Sequence, residues 1–262
     1  MEQYLTLISP NYLQEYLRTV GWSWTTIAFK LEQRKEFSLE DFEYYVVASS
    51  LYSSKIEGNT LDVNSFFRNR EKKTSPKQKE VQEIEALMQA YTFAADNALN
   101  RENFFKAHFL LSANLLPAKE RGCLRKDQIG VRDAISMRPV YLAVEPEYLQ
   151  VEFNKLFNDI DFLLNKDLQP QEVFYFASML HLWLAQIHPF GDGNGRSARL
   201  LEKWFVAAKL GKSAWAIHSE KYYWDHRPDY YQNIALGFNY YALHWERCMP
   251  FLCMLPKAVE LS

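Results

Sequence analysis

The stretch that most constrains this chain is residues 188–199, which read His-Pro-Phe-Gly-Asp-Gly-Asn-Gly-Arg-Ser-Ala-Arg. Its three glycines alternate with polar residues. Apolar residues recur at helical spacing from near Gln171 up to this stretch, and the helical pattern resumes at Ser197. Because proline disfavours helix at the residue before it, the first helix should end at about His188. The sequence therefore predicts a glycine-rich loop between two helices.

Such a loop is suited to bind an anion. Glycines allow backbone N–H groups to curl into a concave nest, and the helix that follows directs its free N–H groups and positive dipole end at the same place. Arg196 and Arg199 lie three residues apart, so both guanidinium groups are on one face of the first helical turn. Two guanidinium groups beside a nest suit a polyphosphate.

Two more side chains of the stretch have chemistry that suits a reaction at phosphate. Asp192 offers a carboxylate, and Mg²⁺ in proteins is typically bound by one or two carboxylates together with phosphates and water. His188 has an ordinary pKa near ~6.5, which suits a general base at neutral pH. A metal site of His181, His188 and Asp192 is an alternative, since the two histidines lie two helical turns apart. A structural role is nevertheless favoured for His181, because it lies on an apolar helix face.

Two other phosphate-binding patterns fit less well. Gly193, Gly195 and Ala198 match the spacing of a dinucleotide-binding fingerprint, but that fingerprint follows a strand, and the segment before it here is predicted to be helical. A Walker-type phosphate loop requires a Gly-Lys-Ser/Thr sequence, which does not follow.

Residues 188–199 resemble the signature of the Fic family, His-x-Phe-x-Asp/Glu-Gly-Asn-Gly-Arg-x-x-Arg, and match it at every fixed position. A looser similarity extends from about residue 104 to 250 and includes residues 122–125. The resemblance implies a mainly α fold, a Fic-type helical bundle with a small β-hairpin flap beside the active site. The flap is expected at about residues 131–146, where short β-branched and aromatic pieces alternate with glycine and proline.

The resemblance also implies a function, protein adenylylation. AMP would pass from ATP to a hydroxyl of Ser, Thr or Tyr in a target protein, or in the chain itself, with Mg²⁺ or alternatively Mn²⁺ as the metal. In this reaction His188 is the general base, Phe190 anchors the loop in the core, and Asp192 holds the metal at the α- and β-phosphates. The implied phosphate-binding residues are Gly193, Asn194 and Gly195 as the anion hole, with Asn194 near the α-phosphate, and Arg196 and Arg199 at the β- and γ-phosphates.

A second motif lies far upstream. Residues 53–59, Ser-Ser-Lys-Ile-Glu-Gly-Asn, resemble the inhibitory motif of class II family members, with Ser53, Glu57 and Gly58 at the fixed positions. Glu57 falls at the C-terminal end of a predicted helix, where a carboxylate faces the negative end of the dipole and a nearby cation would compensate. The resemblance implies that this cation is Arg199, which would be withdrawn from the γ-phosphate. An autoinhibited enzyme is therefore expected.

Other functions stay open at this point. The same site could remove AMP from a target or transfer another phosphate-bearing group, because the motif defines phosphate handling better than it defines the transferred part of the donor. A non-catalytic nucleotide-binding regulator is the third interpretation. The presence of His188 and Asp192 argues against it, since binding alone needs no base.

Three regions are predicted along the chain. Residues 1–79 form an N-terminal helical region with the inhibitory motif, 80–214 form the catalytic core, and 215–262 form a C-terminal helical extension packed on that core. Ser38 is the predicted N-cap of the helix that carries the motif. Residues 68–80, rich in charge and with a proline, are predicted to be a linker or exposed loop.

Two further surfaces have predicted roles. The flap, at residues 132–144, is expected to bind the target backbone as an added strand. Tyr230 and Tyr231 either line the nucleobase side or are core aromatics, and the core interpretation is favoured. The sequence leaves open whether the chain forms a homodimer.

Charge, cysteine content and apolar stretches lead to expectations about the partners and the location of the protein. The formal charge is −2 and the isoelectric point is about 6.3, so neither nucleic acid nor an anionic membrane is the expected partner. Cys123, Cys248 and Cys253 have no paired spacing and are expected to be reduced core thiols. No basic segment followed by an apolar run opens the sequence, and no 18-residue apolar stretch is present, so a cytoplasmic location is expected.

Overall fold

Apolar residues at helical spacing account for most of the secondary structure. In the computed structural model, the described residues are 4–21, 38–132 except 73 and 75, and 139–260. The helices are α1 (Leu13–Val20), α2 (Leu39–Ile56), α3 (Val63–Arg70), α4 (Gln78–Asp96), α5 (Arg101–Leu111), α6 (Pro146–Asn165), α7 (Pro170–Ile187), α8 (Asn194–Leu210), α9 (Ser219–Asp225), α10 (Arg227–Ile234), α11 (Met249–Leu252) and α12 (Met254–Glu260). The predicted mainly α fold is confirmed. None of the helices in the described residues is long and apolar enough to cross a membrane.

A small antiparallel hairpin interrupts the helices, as predicted for the flap. Its strands are β1 (Gly130–Arg132) and β2 (Pro139–Leu142). The predicted flap residues 133–138 lie outside the described residues. On its outer side, Leu142 pairs with a loop from the C-terminal part of the chain: Leu142 N–H donates to the Phe238 carbonyl at 2.9 Å, and Tyr240 N–H donates to the Leu142 carbonyl at 3.0 Å.

The helix that carries the inhibitory motif has well-defined ends. Ser38 is its N-cap, as predicted, and forms a capping box with Asp41. At its other end, Gly58 has a φ of 105°, a left-handed conformation that stops a helix at little cost only in glycine. The helix therefore ends in a well-defined last turn at Ile56, directly before Glu57.

Two helix boundaries differ from the predictions. α8 begins at Asn194 rather than Ser197, because its first turn is polar and apolar periodicity cannot detect it. The predicted linker 68–80 is too long, since α3 continues to Arg70 and α4 begins at Gln78. Arg70 Nε lies 3.0 Å from Glu85 Oε1. Arg70 therefore forms an ion pair between α3 and α4 and does not belong to a loop.

One large core extends through all three predicted regions. It includes Tyr16 of α1, Phe153 of α6, Leu180 of α7 and Phe251 of α11. Helix α7 is apolar on nearly all sides and lies at the centre, packed against α8. A second, smaller cluster joins α2, α3 and α4 through Leu51, Leu61, Phe66, Val81 and Ile84. The large core therefore holds α2 beside α8, and the smaller cluster packs α3 and α4 against α2.

The cysteines are unpaired, as predicted. Cys248 and Cys253 are buried, whereas Cys123 is exposed. The prediction of a core thiol is wrong for Cys123, because this exposed residue lies in the connection between α5 and β1.

Candidate active site

The end of α7 places His188 at the start of the glycine-rich loop. Its backbone is left-handed, with φ of 51°, and no other non-glycine residue described by the structure has a positive φ. Arg125 supports this bend: its Nε donates to the His188 carbonyl at 2.8 Å, and its backbone N–H donates to the Pro189 carbonyl at 3.0 Å. The same guanidinium donates to the Val144 carbonyl at 2.5 Å and so ties the loop to the hairpin. Such a backbone conformation persists only where its surroundings enforce it.

The His188 imidazole is oriented for proton transfer. Its Nδ1 lies 3.2 Å from the Ala185 carbonyl, and because a carbonyl only accepts, Nδ1 carries the proton and Nε2 is the basic nitrogen. Burial lowers the pKa of His188, and Arg125 lowers it further. The Ala185 carbonyl and the carboxylates of Glu57 and Asp192 oppose this shift without reversing it. The ring is therefore neutral at pH 7, as a general base must be.

A clamp between Phe190 and Asn194 closes the loop. The Phe190 N–H donates to Asn194 Oδ1 at 2.9 Å, and Asn194 Nδ2 donates to the Phe190 carbonyl at 2.8 Å. The Phe190 ring is fully buried, as predicted for a core anchor. Both polar groups of the Asn194 side chain are used within the loop. Its backbone N–H, at the start of α8, and the second hydrogen of Nδ2 are then left for a phosphate.

The carboxylate of Glu57 lies against the first turn of α8. A Cβ on Gly195 would be 2.5 Å from Glu57 Oε1 and 3.2 Å from Arg199 Nη1, so a glycine is required for this approach. Gly193 precedes the helix with φ of 79°, and among the described residues no side chain caps this N-terminus. Because a helix N-terminus attracts anions, Glu57 occupies the place predicted for phosphate.

Arg199 is fully buried and hydrogen-bonded on several sides. Nε donates to Ser53 Oγ at 2.9 Å, Nη2 donates to the Ser53 carbonyl at 3.0 Å and to Glu57 Oε1 at 2.7 Å, and Nη1 donates to Tyr230 Oη at 3.1 Å. The predicted pairing of Glu57 with Arg199 is thus present. Burial alone would raise the pKa of Glu57, but Arg199 and then Arg196 outweigh it, so the pKa lies below its usual value. Glu57 is therefore an anion at neutral pH.

The two tyrosines of α10 have different roles. Tyr230 is 1% exposed and belongs to the core, as favoured from the sequence. Tyr231 is 42% exposed, so the core interpretation is wrong for it. Its Oη donates to the Ile56 carbonyl at 2.9 Å, which fixes the last turn of α2 against α10.

The sequence profile of the Fic/DOC family matches residues 98–206, from just before α5 through the glycine-rich loop and into α8. Residues 98–206 are a Fic/DOC domain. The Protein adenylyltransferase Fic of Nematostella vectensis is 30% identical over 159 residues, which cover 57% of this chain and 35% of that protein. The chain thus spans about a third of the length of this curated relative.

Solved structures with Fic domains share the fold. A Fic family protein from Desulfovibrio desulfuricans has a TM-score of 0.70 at 24% identity, covering 98% of this chain and 74% of that chain. A Fic-domain-containing signalling protein from Bacteroides thetaiotaomicron has a TM-score of 0.69 at 19% identity, covering 90% and 92%. Fic-1 from C. elegans has a TM-score of 0.65 at 19% identity, covering 95% and 72%. The predicted Fic-type bundle with its hairpin is confirmed.

Asp192, in the loop of the Fic/DOC domain, and Arg196, in the first turn of α8, differ in their exposure. The Asp192 side chain is 55% exposed, and its Oδ1 accepts from the Gly193 N–H at 2.6 Å. The Arg196 side chain is 8% exposed, with Nη1 4.0 Å from Asp192 Oδ1 and Nη2 3.8 Å from Glu83 Oε2. Its buried Nε has no hydrogen-bond partner among the described atoms. A buried guanidinium with such long contacts retains donors for an anion.

The described residues limit how a metal would be bound by the Fic/DOC domain. None of them form a group of three His, Cys, Asp or Glu side chains that could hold a metal ion. The alternative site of His181, His188 and Asp192 is therefore not formed. His181 is fully buried, with Nδ1 2.9 Å from Glu202 Oε2 and Nε2 3.0 Å from Tyr230 Oη, and its structural interpretation is confirmed. One exposed carboxylate, at Asp192, fits Mg²⁺ that takes its other ligands from phosphates and water.

Two residues of the Fic/DOC domain that hold the loop were not predicted to do so. For Arg125 the only sequence signal is the looser family similarity at residues 122–125, and that similarity does not indicate what Arg125 does. His108 gives no signal at all, because it lies within an apolar helix pattern far from the loop in sequence. In the structure both residues donate to carbonyls of the loop, at His188 and Asp192 respectively. Contacts of this kind are long-range and have no local sequence pattern.

Proposed function

We propose that this chain is a protein adenylyltransferase that transfers AMP from ATP to a hydroxyl of a target protein. One observation carries the proposal: the neutral His188, with Nε2 as its basic nitrogen, adjoins an uncapped helix N-terminus flanked by the buried guanidinium groups of Arg196 and Arg199. This arrangement combines a base with a polyanion site. The similarity to a relative named as an adenylyltransferase supports it.

The proposed reaction is a substitution at the α-phosphorus. The acceptor hydroxyl forms a bond to the α-phosphorus while His188 Nε2 takes its proton, and the bond from that phosphorus to the bridging oxygen breaks, so pyrophosphate leaves. Phosphoryl chemistry is accelerated mainly by positioning and by neutralising charge. The N–H groups at the start of α8, together with Arg196 and Arg199, would provide that neutralisation. Asp192 would hold Mg²⁺, or alternatively Mn²⁺, which supplies further positive charge at the phosphates.

Glu57 would make this enzyme autoinhibited, as in class II members of the family. Its carboxylate lies at the N-terminus of α8, and it shares Arg199 Nη2 with the Ser53 carbonyl. While this pair persists, the γ-phosphate of ATP has no access to Arg199. Displacing the end of α2 would free both the anion site and the arginine. Gly58 would contribute by ending the helix so that Glu57 faces the site.

The hairpin is the proposed docking element for the target protein. A second copy of this chain is the alternative target. A target segment would add as a strand to the flap. The backbone groups of Leu142 are already paired with Phe238 and Tyr240, so the added strand would pair with the part of β2 that precedes Leu142. The acceptor would then be a Ser, Thr or Tyr beside His188.

A labelling experiment tests the proposal. Wild type, Glu57→Gly and His188→Ala are incubated with Mg²⁺ and with ATP labelled at either the α- or the γ-phosphate. We expect covalent label from the α-phosphate alone, about tenfold or more stronger in Glu57→Gly than in wild type. The His188→Ala variant should lose transfer by about 10²–10⁴-fold while it still binds ATP.

Two results would contradict the proposal. Label from the γ-phosphate would indicate a kinase-type transfer, in which a different bond breaks. An absence of label in all three proteins would favour another donor nucleotide or removal of AMP from a pre-modified target. Each of these is assayed with the same three proteins.

A further inference from the structure

We propose that His108 is a positioning residue of the active site, which fixes the Asp192 peptide and thereby the carboxylate that would hold the metal. His108 lies on α5, is 1% exposed and contacts the loop from the protein interior. The inference rests on the proposed function for its metal and nucleotide, but not on the transfer step. It concerns how the loop is held rather than which group reacts.

Two hydrogen bonds determine the state of the His108 ring. The Gly122 N–H donates to Nδ1 at 2.9 Å, so Nδ1 is an acceptor. Nε2 therefore carries the proton and donates to the Asp192 carbonyl at 3.0 Å. The ring thus connects the turn after α5 with the glycine-rich loop through both of its nitrogens. A role in packing alone would need neither nitrogen.

Stacking fixes the plane of the same ring. The His108 and Phe190 ring centroids are 3.6 Å apart, and the planes differ by 9°. Phe190 is itself held through its backbone by the Asn194 clamp. A rotation of His108 would therefore disturb the packing of the loop anchor, so the ring has little freedom to turn away from Asp192.

The Asp192 peptide is coupled to its side chain. Its Oδ1 accepts from the Gly193 N–H at 2.6 Å, and this N–H belongs to the same peptide unit whose carbonyl accepts from His108. Holding the carbonyl fixes the direction of that N–H, which in turn fixes the carboxylate. Groups that orient a metal ligand in this way typically change metal affinity when they are removed.

Nucleotide binding by the full chain tests the proposal without requiring catalysis. The parent is Glu57→Gly, which leaves the anion site open, and calorimetry measures ATP affinity with and without Mg²⁺. The variants in this parent are His108→Phe, which keeps a stacking ring without nitrogens, and His108→Gln, which keeps a donor toward Asp192. Lys106→Ala, at an exposed position of the same helix, is the matched control.

For His108→Phe we expect the Mg²⁺-dependent gain in ATP affinity to fall about tenfold, with a change of under about twofold in the absence of Mg²⁺. His108→Gln should recover part of the gain, and Lys106→Ala should match the parent. An unchanged gain in His108→Phe would overturn the proposal. So would an equal loss of affinity with and without Mg²⁺ together with a lower Tm, which is the pattern of a purely structural residue.

The test separates this inference from the proposed reaction. A parent that gains affinity with Mg²⁺ but transfers no AMP would contradict the reaction and leave the role of His108 measurable. A parent with no Mg²⁺-dependent gain would overturn the positioning role itself. If His108→Phe does not fold, His108→Gln is compared with Lys106→Ala. A partial loss of the Mg²⁺-dependent gain in His108→Gln supports the proposal, and a gain equal to that of Lys106→Ala overturns it.

Discussion

Glu57 Oε1 accepts a hydrogen bond from Arg199 Nη2 at 2.7 Å, across 142 positions of sequence. The two partners differ in their contact with water, since the Arg199 side chain is fully buried and that of Glu57 is 30% exposed. Arg199 also keeps its bonds to Ser53 and Tyr230, which do not depend on Glu57. The carboxylate is therefore the partner that can leave, while the arginine stays in position for an incoming phosphate.

Gly195→Ala tests how closely Glu57 approaches the helix. The new Cβ would lie 2.5 Å from Glu57 Oε1, a contact that requires the carboxylate or the helix to move. We expect Gly195→Ala to lower the free energy of unfolding by about 1–3 kcal/mol in wild type. In a Glu57→Gly chain this overlap is absent, so the same substitution should cost much less. Chemical denaturation of the four proteins of this double-mutant cycle measures the difference.

The control for this cycle is Gly195→Ala combined with a substitution at a distant exposed acid, Glu102→Gln. Those two changes should add. If Gly195→Ala and Glu57→Gly also added to within about 0.5 kcal/mol, the carboxylate would not lie over Gly195.

Adjacent serines in α2 provide a matched pair for the Arg199 contact. Ser53 and Ser54 are both fully buried, but Ser53 Oγ accepts from Arg199 Nε at 2.9 Å, whereas Ser54 Oγ has no hydrogen-bond partner among the described atoms. Ser53→Ala leaves a buried charged donor unpaired, so it should destabilise the fold by about 1–3 kcal/mol. Ser54→Ala removes an unsatisfied hydroxyl and should change stability by less than about 0.5 kcal/mol, or raise it.

Urea unfolding of both serine variants measures this contrast. Equal losses for the two substitutions would mean that the hydroxyl of Ser53 contributes nothing through Arg199. In that case α2 would bind Arg199 only through the Ser53 carbonyl and the Glu57 carboxylate.

How much the sequence could predict depends on how local each contact is. The signature of residues 188–199 predicts the helix–loop–helix because its glycines, proline and charges act within a few residues of one another. Only the family resemblance predicts the pairing of Glu57 with Arg199, since no local pattern joins such distant positions. The contacts of Arg125 and His108 are equally distant, and without a recognised motif they were missed. Tyr231 shows a further limit, because its neighbour Tyr230 is buried and helical spacing does not separate the two.

The pH dependence of His188 provides a test of the general base. Its pKa lies below the ordinary ~6.5, so the ring is neutral from pH 8 down to pH 7. We expect AMP transfer by Glu57→Gly to be constant over that range and to fall only at more acid pH, as Nε2 binds a proton. A decline that already begins above pH 7 would contradict a lowered pKa in the free protein.

Stability should show the same shift with a defined sign. In the unfolded chain His188 titrates near ~6.5, and in the folded chain it titrates at lower pH, so below ~6.5 the unfolded state binds the proton first. The free energy of unfolding should therefore fall as the pH drops through this window, and His188→Gln should remove that part of the slope. His244→Gln, at an exposed position, serves as the control for the loss of a histidine. Denaturant titrations between pH 5 and 7.5 compare the three proteins, and identical slopes for wild type and His188→Gln would show that folding does not lower this pKa.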